Sequence, residues 1–313
     1  MTNLSEFTFL SSDGKTQLHG MLWEPAGVAV RAVLQICHGV AEHIARYDGF
    51  ARALNEQGIV VAGHDHLGHG KSLPEGGTPV YFGDGNTWNT VVDDIYVLHQ
   101  RLKQRYPDVP LCIMGHSMGS FLTRTYLIRY PGTVKAAVIM GTGWQPRAAI
   151  TGGLALANAI AAVSGENATS ELVTELAFGS YNKLFAPNRT KVDWLSADES
   201  NVDDYIADPL CGADATVGLF RQMLHGIRFN QRQSHLRQMD REMPVLFVAG
   251  DKDPVGSCGK GVRQTYDAFR AAGMRDCTLK LYPGLRHEIL NEKAYAADIT
   301  KDIEAWLLSR LEK

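Results

Sequence analysis

Short apolar runs alternate with amphipathic stretches along most of this chain, and that alternation constrains the fold more than any other feature. "AVLQICHG", beginning at Ala32, reads as a buried strand, and "RYDGFARALNEQG" carries its apolar residues at helical spacing. "IVVAGHD" is again a short strand, "NTVVDDIYVLHQRLKQRYP" a helix and "PLCIMGHS" another strand. The series continues with a helix at "MGSFLTRTYLIRYP" and a strand at "VKAAVIMGTG". After a long interval come a strand at "PVLFVAG", a helix near "GVRQTYDAFRAAG", a strand at "CTLKLYPG" and a closing helix from about Glu292. Two further strands flank an "SSDG" turn at the start. Parallel strands need a crossover connection, usually a helix, and each crossover covers one face of the sheet. The pattern therefore predicts a largely parallel α/β sheet with helices on both faces.

The interval from Trp144 to about Met243 is far longer than a single crossover requires, so an insertion is expected there. We expect residues 1–143 and 240–313 to form the core and 144–239 an inserted helical lid. The insertion opens with "AAITGGLALANAIAAV", which reads as a greasy lid helix or as an ordinary buried helix; it is too short to span a bilayer. A greasy lid leaves room for transient contact with a membrane or micelle.

An apolar fraction of 45%, a charged fraction of 21% and a net charge of −3 argue against a nucleic-acid partner. The start, "MTNLSEFTFL", lacks the pattern of a secretory signal, so a cytoplasmic location is expected. The five cysteines are scattered without a CxxC pair and suggest neither a disulfide framework nor a cysteine-based metal site.

Gly115-His116-Ser117-Met118-Gly119 matches G-x-S-x-G and stands between a strand and a helix, where such a turn exposes a nucleophilic serine. The glycines leave room for close approach of neighbouring segments, and the helix start offers free N–H groups to a developing negative charge. A serine hydroxyl needs a base, and the base needs an orienting carboxylate. In this architecture the partners follow in the order acid, then histidine. "GDKDPV" offers Asp251 and Asp253 after its strand; Asp253, deeper in the loop, is favoured, and Asp251 is expected to shape the turn. His287 in "YPGLRHEIL" follows the last strand, whereas His225 and His235 precede the acid. The backbone N–H groups of Val40, after "ICHG", and Met118 are the expected oxyanion donors.

Two other patterns tempt a metal assignment. "GHDHLGHG" places His64, His66 and His69 close together, but Gly68 stands where an H-x-H-x-D-H site needs aspartate. "HEILN" has Asn291 where H-E-x-x-H needs its second histidine. No metal or cofactor is expected.

With these residues in view, the chain resembles the monoacylglycerol lipase and lysophospholipase branch of the α/β-hydrolases, often classed as serine aminopeptidase S33-like. The resemblance is carried by "HGVAEHIARYDGFARALNEQGIVVAGHDHLGHGKS", "GHSMGS", "GDKDPV" and "RHEILNE", and it extends to "WLSADESNVDDYIADPLC". It implies an α/β-hydrolase fold: a mostly parallel eight-stranded sheet with a helical lid inserted after the sixth strand. It also implies a Ser117, Asp253, His287 triad with Val40 and Met118 as oxyanion donors. The expected chemistry is cofactor-independent hydrolysis of a small-molecule acyl ester, a lipid-like monoacyl substrate, through an acyl-enzyme. A short-chain esterase or serine aminopeptidase using the same triad, and a non-catalytic ligand-binding scaffold, remain alternatives. The aminopeptidase reading requires a pocket carboxylate such as Glu171, Glu175, Asp198 or Glu199. Oligomeric state is not legible.

Overall fold

In the computed structural model, which describes residues 1–311, eight strands form one sheet: β1 (Thr2–Leu10), β2 (Gln17–Pro25), β3 (Ala32–Cys37), β4 (Ile59–His64), β5 (Leu111–His116), β6 (Ala137–Met140), β7 (Val245–Gly250) and β8 (Cys277–Tyr282). Their spatial order is β1-β2-β4-β3-β5-β6-β7-β8. β1 and β2 pair antiparallel, as do β2 and β4, and every remaining pair is parallel. This is the doubly covered, mostly parallel sheet that the alternation predicts, with the eight strands that the resemblance implies.

The pleat sorts the strand residues between two apolar layers. In β5 and β7, Leu111, Ile113, Val245 and Phe247 face one layer, while Cys112, Met114, Leu246 and Val248 face the other. Helices α2 (Thr87–Arg105), α3 (Met118–Arg129) and α10 (Lys260–Ala271) cover the first layer. The second is covered by α1 (Asp48–Glu56) and the closing helix α11, through Phe50, Leu54, Ile299 and Ile303. Each such apolar side chain, fully buried, contributes about 1.5–3 kcal/mol. Helix α11 runs Ala296–Leu311 and starts later than the sequence pattern suggests. Residues 289–291 form a 3-10 turn, and the Glu292 carboxylate accepts from Ala197 N–H, 2.7 Å away, rather than entering the helix.

Between β6 and β7 the chain builds α4 (Arg147–Ser164), α5 (Glu171–Thr174), a π-turn (Glu175–Gly179), α6 (Ser180–Lys183), α7 (Glu199–Ala207), α8 (Val217–Asn230) and α9 (Gln233–Leu236). Helix α8 rests on the core: a Cβ at Gly226 would fall 2.1 Å from the Trp88 ring, and Asn230 Oδ1 accepts from Thr125 Oγ1 at 2.8 Å. Helix α4 buries only Ile150, Leu154 and Ala157. Its 18 residues have a mean hydropathy of 1.3, so by length and composition it could cross a membrane, contrary to the expectation that this stretch is too short.

Candidate active site

β5 ends at His116, and the chain must reverse at once into α3. Ser117 makes that turn with φ 54° and ψ −122°, a conformation that side chains rarely adopt, and its N–H is held by Met140 O at 3.0 Å. The flanking glycines are required by contact. A Cβ at Gly119 would stand 2.0 Å from Cys37 O, and one at Gly115 would stand 2.2 Å from Gly119 O. β3, β5 and α3 therefore converge at a distance that only glycine allows.

The loops after β7 and β8 bring Asp253 and His287 together. His287 Nδ1–H donates to Asp253 Oδ1 at 3.0 Å, with Asp253 completely and His287 almost completely buried. This bond leaves Nε2 as the free acceptor of the ring. Asp253 Oδ1 also accepts from Val255 N–H at 2.9 Å, whereas Asp251 Oδ1 accepts from Gly284 N–H and braces the turn. The His287 ring lies 4.7 Å from that of His116, next to Ser117. His287 and the Ser117 hydroxyl do not hydrogen-bond in this structure. Among the described residues, nothing accepts from the N–H groups of Val40 and Met118. His225 lies on α8 and His235 on α9, and neither joins this group; their rings face Arg228 and Phe229 O.

Sequence reasoning missed a buried charge network beneath these loops. Glu42 Oε1 accepts from Gly39 N–H at 2.5 Å, Tyr47 OH at 3.0 Å and His116 Nδ1–H at 3.2 Å; Oε2 accepts from Arg46 at 3.0 Å. Arg46 also grips both oxygens of Glu288, at 2.7 and 2.8 Å. Burial alone would raise the Glu42 pKa, but the His116 hydrogen bond and the Arg46 charge hold it well below the usual carboxylate range. His116 shows the converse: burial would lower its pKa, and the Glu42 hydrogen bond and charge raise it. Its Nε2 faces His287 O at 3.3 Å, so both ring nitrogens face acceptors, an arrangement that favours the protonated ring. One carboxylate thus ties together the Val40 loop, the residue before Ser117 and, through Arg46, the residue after His287. The "EH-x-x-RY" string was the available signal, but no role could be assigned to it from spacing alone.

The histidines of "GHDHLGHG" are structural neighbours of this network. His38 donates from Nδ1 to Gly39 O and accepts His66 N–H at Nε2. Asp65 accepts from Ile44 and Lys71 N–H groups and shapes the turn after β4. Burial depresses His64 and His69 to about 3, so both rings are neutral.

Ser117, Met118 and Val40 open into a cavity of about 450 Å³ between α3, α4 and α8. Its wall includes Phe121, Leu156, Phe178, Met223, Leu224 and Ile227, and among the described residues no charged side chain lines it. Trp194 and Tyr181 also line it, and the Trp194 ring lies 5.1 Å from that of His287. The segment around Trp194 is strapped to the His287 loop, since Arg286 donates to Asp193 O and Ser196 O, and Glu288 N–H to Leu195 O. Such a site can hold an apolar chain beside a serine, a carboxylate-oriented imidazole and two free amides.

Residues 28–294 match the family described as "Serine aminopeptidase, S33". The chain is 31% identical to the monoacylglycerol lipase of Mycolicibacterium smegmatis over 98% of both sequences. It is 28% identical to the monoglyceride lipase of Mus musculus, covering 96% of this chain and 90% of that one. Among solved structures, a highly thermostable carboxyl esterase from Bacillus coagulans in complex with glycerol superposes with a TM-score of 0.92 at 26% identity, covering 99% of this chain and all of the other.

Proposed function

Because the chain belongs to the serine aminopeptidase S33 family of α/β-hydrolases and is an ester hydrolase of the monoacylglycerol lipase kind, we propose that Ser117, His287 and Asp253 cleave the carboxylic ester of a lipid-like monoacyl substrate. The observation that carries this reading is the uncharged, apolar cavity ending at Ser117. Asp253 holds His287 with Nε2 free; His287 takes the Ser117 proton as the hydroxyl attacks the ester carbonyl, and the Val40 and Met118 amides stabilise the oxyanion. His287 then protonates the leaving alcohol and activates the water that hydrolyses the acyl-enzyme.

Residues 144–239 act in this reading as a cap over the core of residues 1–143 and 240–313. The cap carries exposed Val163, Leu172, Leu176 and Leu184, which suit transient contact with a micelle or membrane holding the substrate. All five cysteines are free, in keeping with a reducing cytoplasm.

The aminopeptidase alternative lacks its pocket carboxylate. None of Glu171, Glu175, Asp198 and Glu199 lines the cavity; Glu175 pairs with Lys183, and Asp198 caps α7.

The test is hydrolysis of p-nitrophenyl esters from acetate to laurate, with a monoacylglycerol in the same panel, by wild type and Ser117→Ala. We expect turnover to rise with chain length over the short-to-medium range, glycerol to be released, and Ser117→Ala to lose about 10⁶ in kcat. A rate falling steadily from acetate points to a short-chain esterase, and absence of turnover to a binding scaffold.

A further inference from the structure

We propose that His43, Asp208 and Cys211 form a binding site for a zinc-class divalent metal, at the seam between the loop after β3 and the segment after α7. One ligand atom from each residue, an imidazole nitrogen, a carboxylate oxygen and a thiol sulfur, lies within 4.8 Å of the other two. His43 Nε2 and Asp208 Oδ2 are already 2.8 Å apart. Zinc bonds of about 2.0–2.3 Å in tetrahedral geometry place ligand atoms roughly 3.5 Å from one another, so small side-chain adjustments suffice.

The donor set decides the class of metal. One nitrogen, one sulfur and one carboxylate oxygen suit zinc or cobalt, whereas magnesium and calcium require shells made of oxygen. Three protein ligands leave the fourth position for water, which reaches the site because Asp208 and Cys211 are only partly buried. On metal binding the Cys211 thiol gives up its proton to solvent, as thiolate ligation requires.

The seam is built to be held in place. Tyr205 OH and Gly212 N–H both donate to Ala41 O at 3.0 Å, and Ala41 adopts φ 53° between Val40 and Glu42. A metal joining His43 to Asp208 and Cys211 fixes this same loop without touching the reacting atoms. No spacing marks the site in the sequence, because 165 positions separate His43 from Asp208. The histidines of "GHDHLGHG", by contrast, form no such trio among the described residues.

Tag-free protein is titrated with Co²⁺ and then with Zn²⁺. One equivalent of Co²⁺ is expected to produce a thiolate-to-cobalt charge-transfer band in the near ultraviolet. Zn²⁺ should abolish that band, raise Tm and protect one thiol from a disulfide reagent. Cys211→Ser should lose the band, and His43→Gln and Asp208→Asn should each weaken Zn²⁺ binding at least roughly tenfold. Folding of each variant is checked by cooperative thermal unfolding. If Cys211→Ser does not fold, thiol protection in the wild type and the Asp208→Asn titration decide. The site is wrong if folded wild type gives no thiolate band, if the band persists in Cys211→Ser, or if binding is indifferent to His43 and Asp208.

Discussion

Asp253 Oδ1 and His287 Nδ1 lie 3.0 Å apart in the buried interior, although 34 positions separate the two residues. Asp251, in the same loop, instead spends its carboxylate on Gly284 N–H. Asp253→Asn is therefore expected to lower kcat by about 10⁴, the scale seen when other triads lose this carboxylate, while Asp251→Asn keeps most of its activity. Steady-state kinetics on one ester separates the two, and an equal loss in both would falsify the assignment of the acid.

Glu42→Gln removes the carboxylate shared by Arg46 and His116; Arg46 keeps its two bonds to Glu288, but His116 loses the carboxylate it is bonded to in the interior. Breaking a buried pair in this way costs about 3–5 kcal/mol. Urea unfolding should show a lower midpoint with an unchanged slope, accompanied by reduced kcat, because Gly39 and the Val40 loop lose their anchor.

Gly119→Ala places a Cβ against backbone, 2.0 Å from Cys37 O, and should destabilise by 3 kcal/mol or more, roughly the upper end of overpacking costs. Gly153→Ala makes a useful contrast. Its Cβ meets only the end of the Leu224 side chain, at 2.9 Å, and helix propensity favours alanine by about 1 kcal/mol. Thermal melts of both variants should shift in opposite directions, or the second not at all.

Leu224→Trp fills part of the cavity wall that α8 contributes. Turnover of acetate and butyrate esters should change little, while the preferred acyl length shortens. Loss of activity that is uniform across chain lengths would mean that Leu224 does not face the acyl chain.

Stability should fall as the medium is acidified below about pH 6.5. Burial depresses His64 and His69 to about 3 and His99 to about 4, so the unfolded chain takes up protons at these residues before the folded one does. Each contributes a slope of about 1.4 kcal/mol per pH unit between its folded pKa and about 6.5. Asp94, which burial raises to about 6, works the other way: the folded state binds its proton first, and that stabilisation disappears as pH rises through 6. His116 and His19, raised by Glu42 and Asp65, oppose the decline as well, but burial also lowers His38 and His66, so urea midpoints at pH 7.5, 6.5 and 5.5 should decline. A flat series would show that these rings are not held neutral.

Local pattern was enough for the elements of the core, apart from the start of α11. Apolar runs such as "IVVAGHD" and "PVLFVAG" and the helical spacing of "RYDGFARALNEQG" reflect burial on two faces of a sheet, a constraint that acts on each short segment by itself. The Ser117 turn was legible for the same reason, since a strand that must reverse into a helix needs Gly115 and Gly119 within five residues. Only the tertiary structure decided how distant side chains converge. It joined Glu42 through Arg46 to Glu288 and set Trp194 over the His287 ring. It also gathered His43, Asp208 and Cys211 at one seam. Secondary structure follows from the backbone and its nearest neighbours, whereas the pairing of charges and rings depends on which loops the finished sheet places side by side.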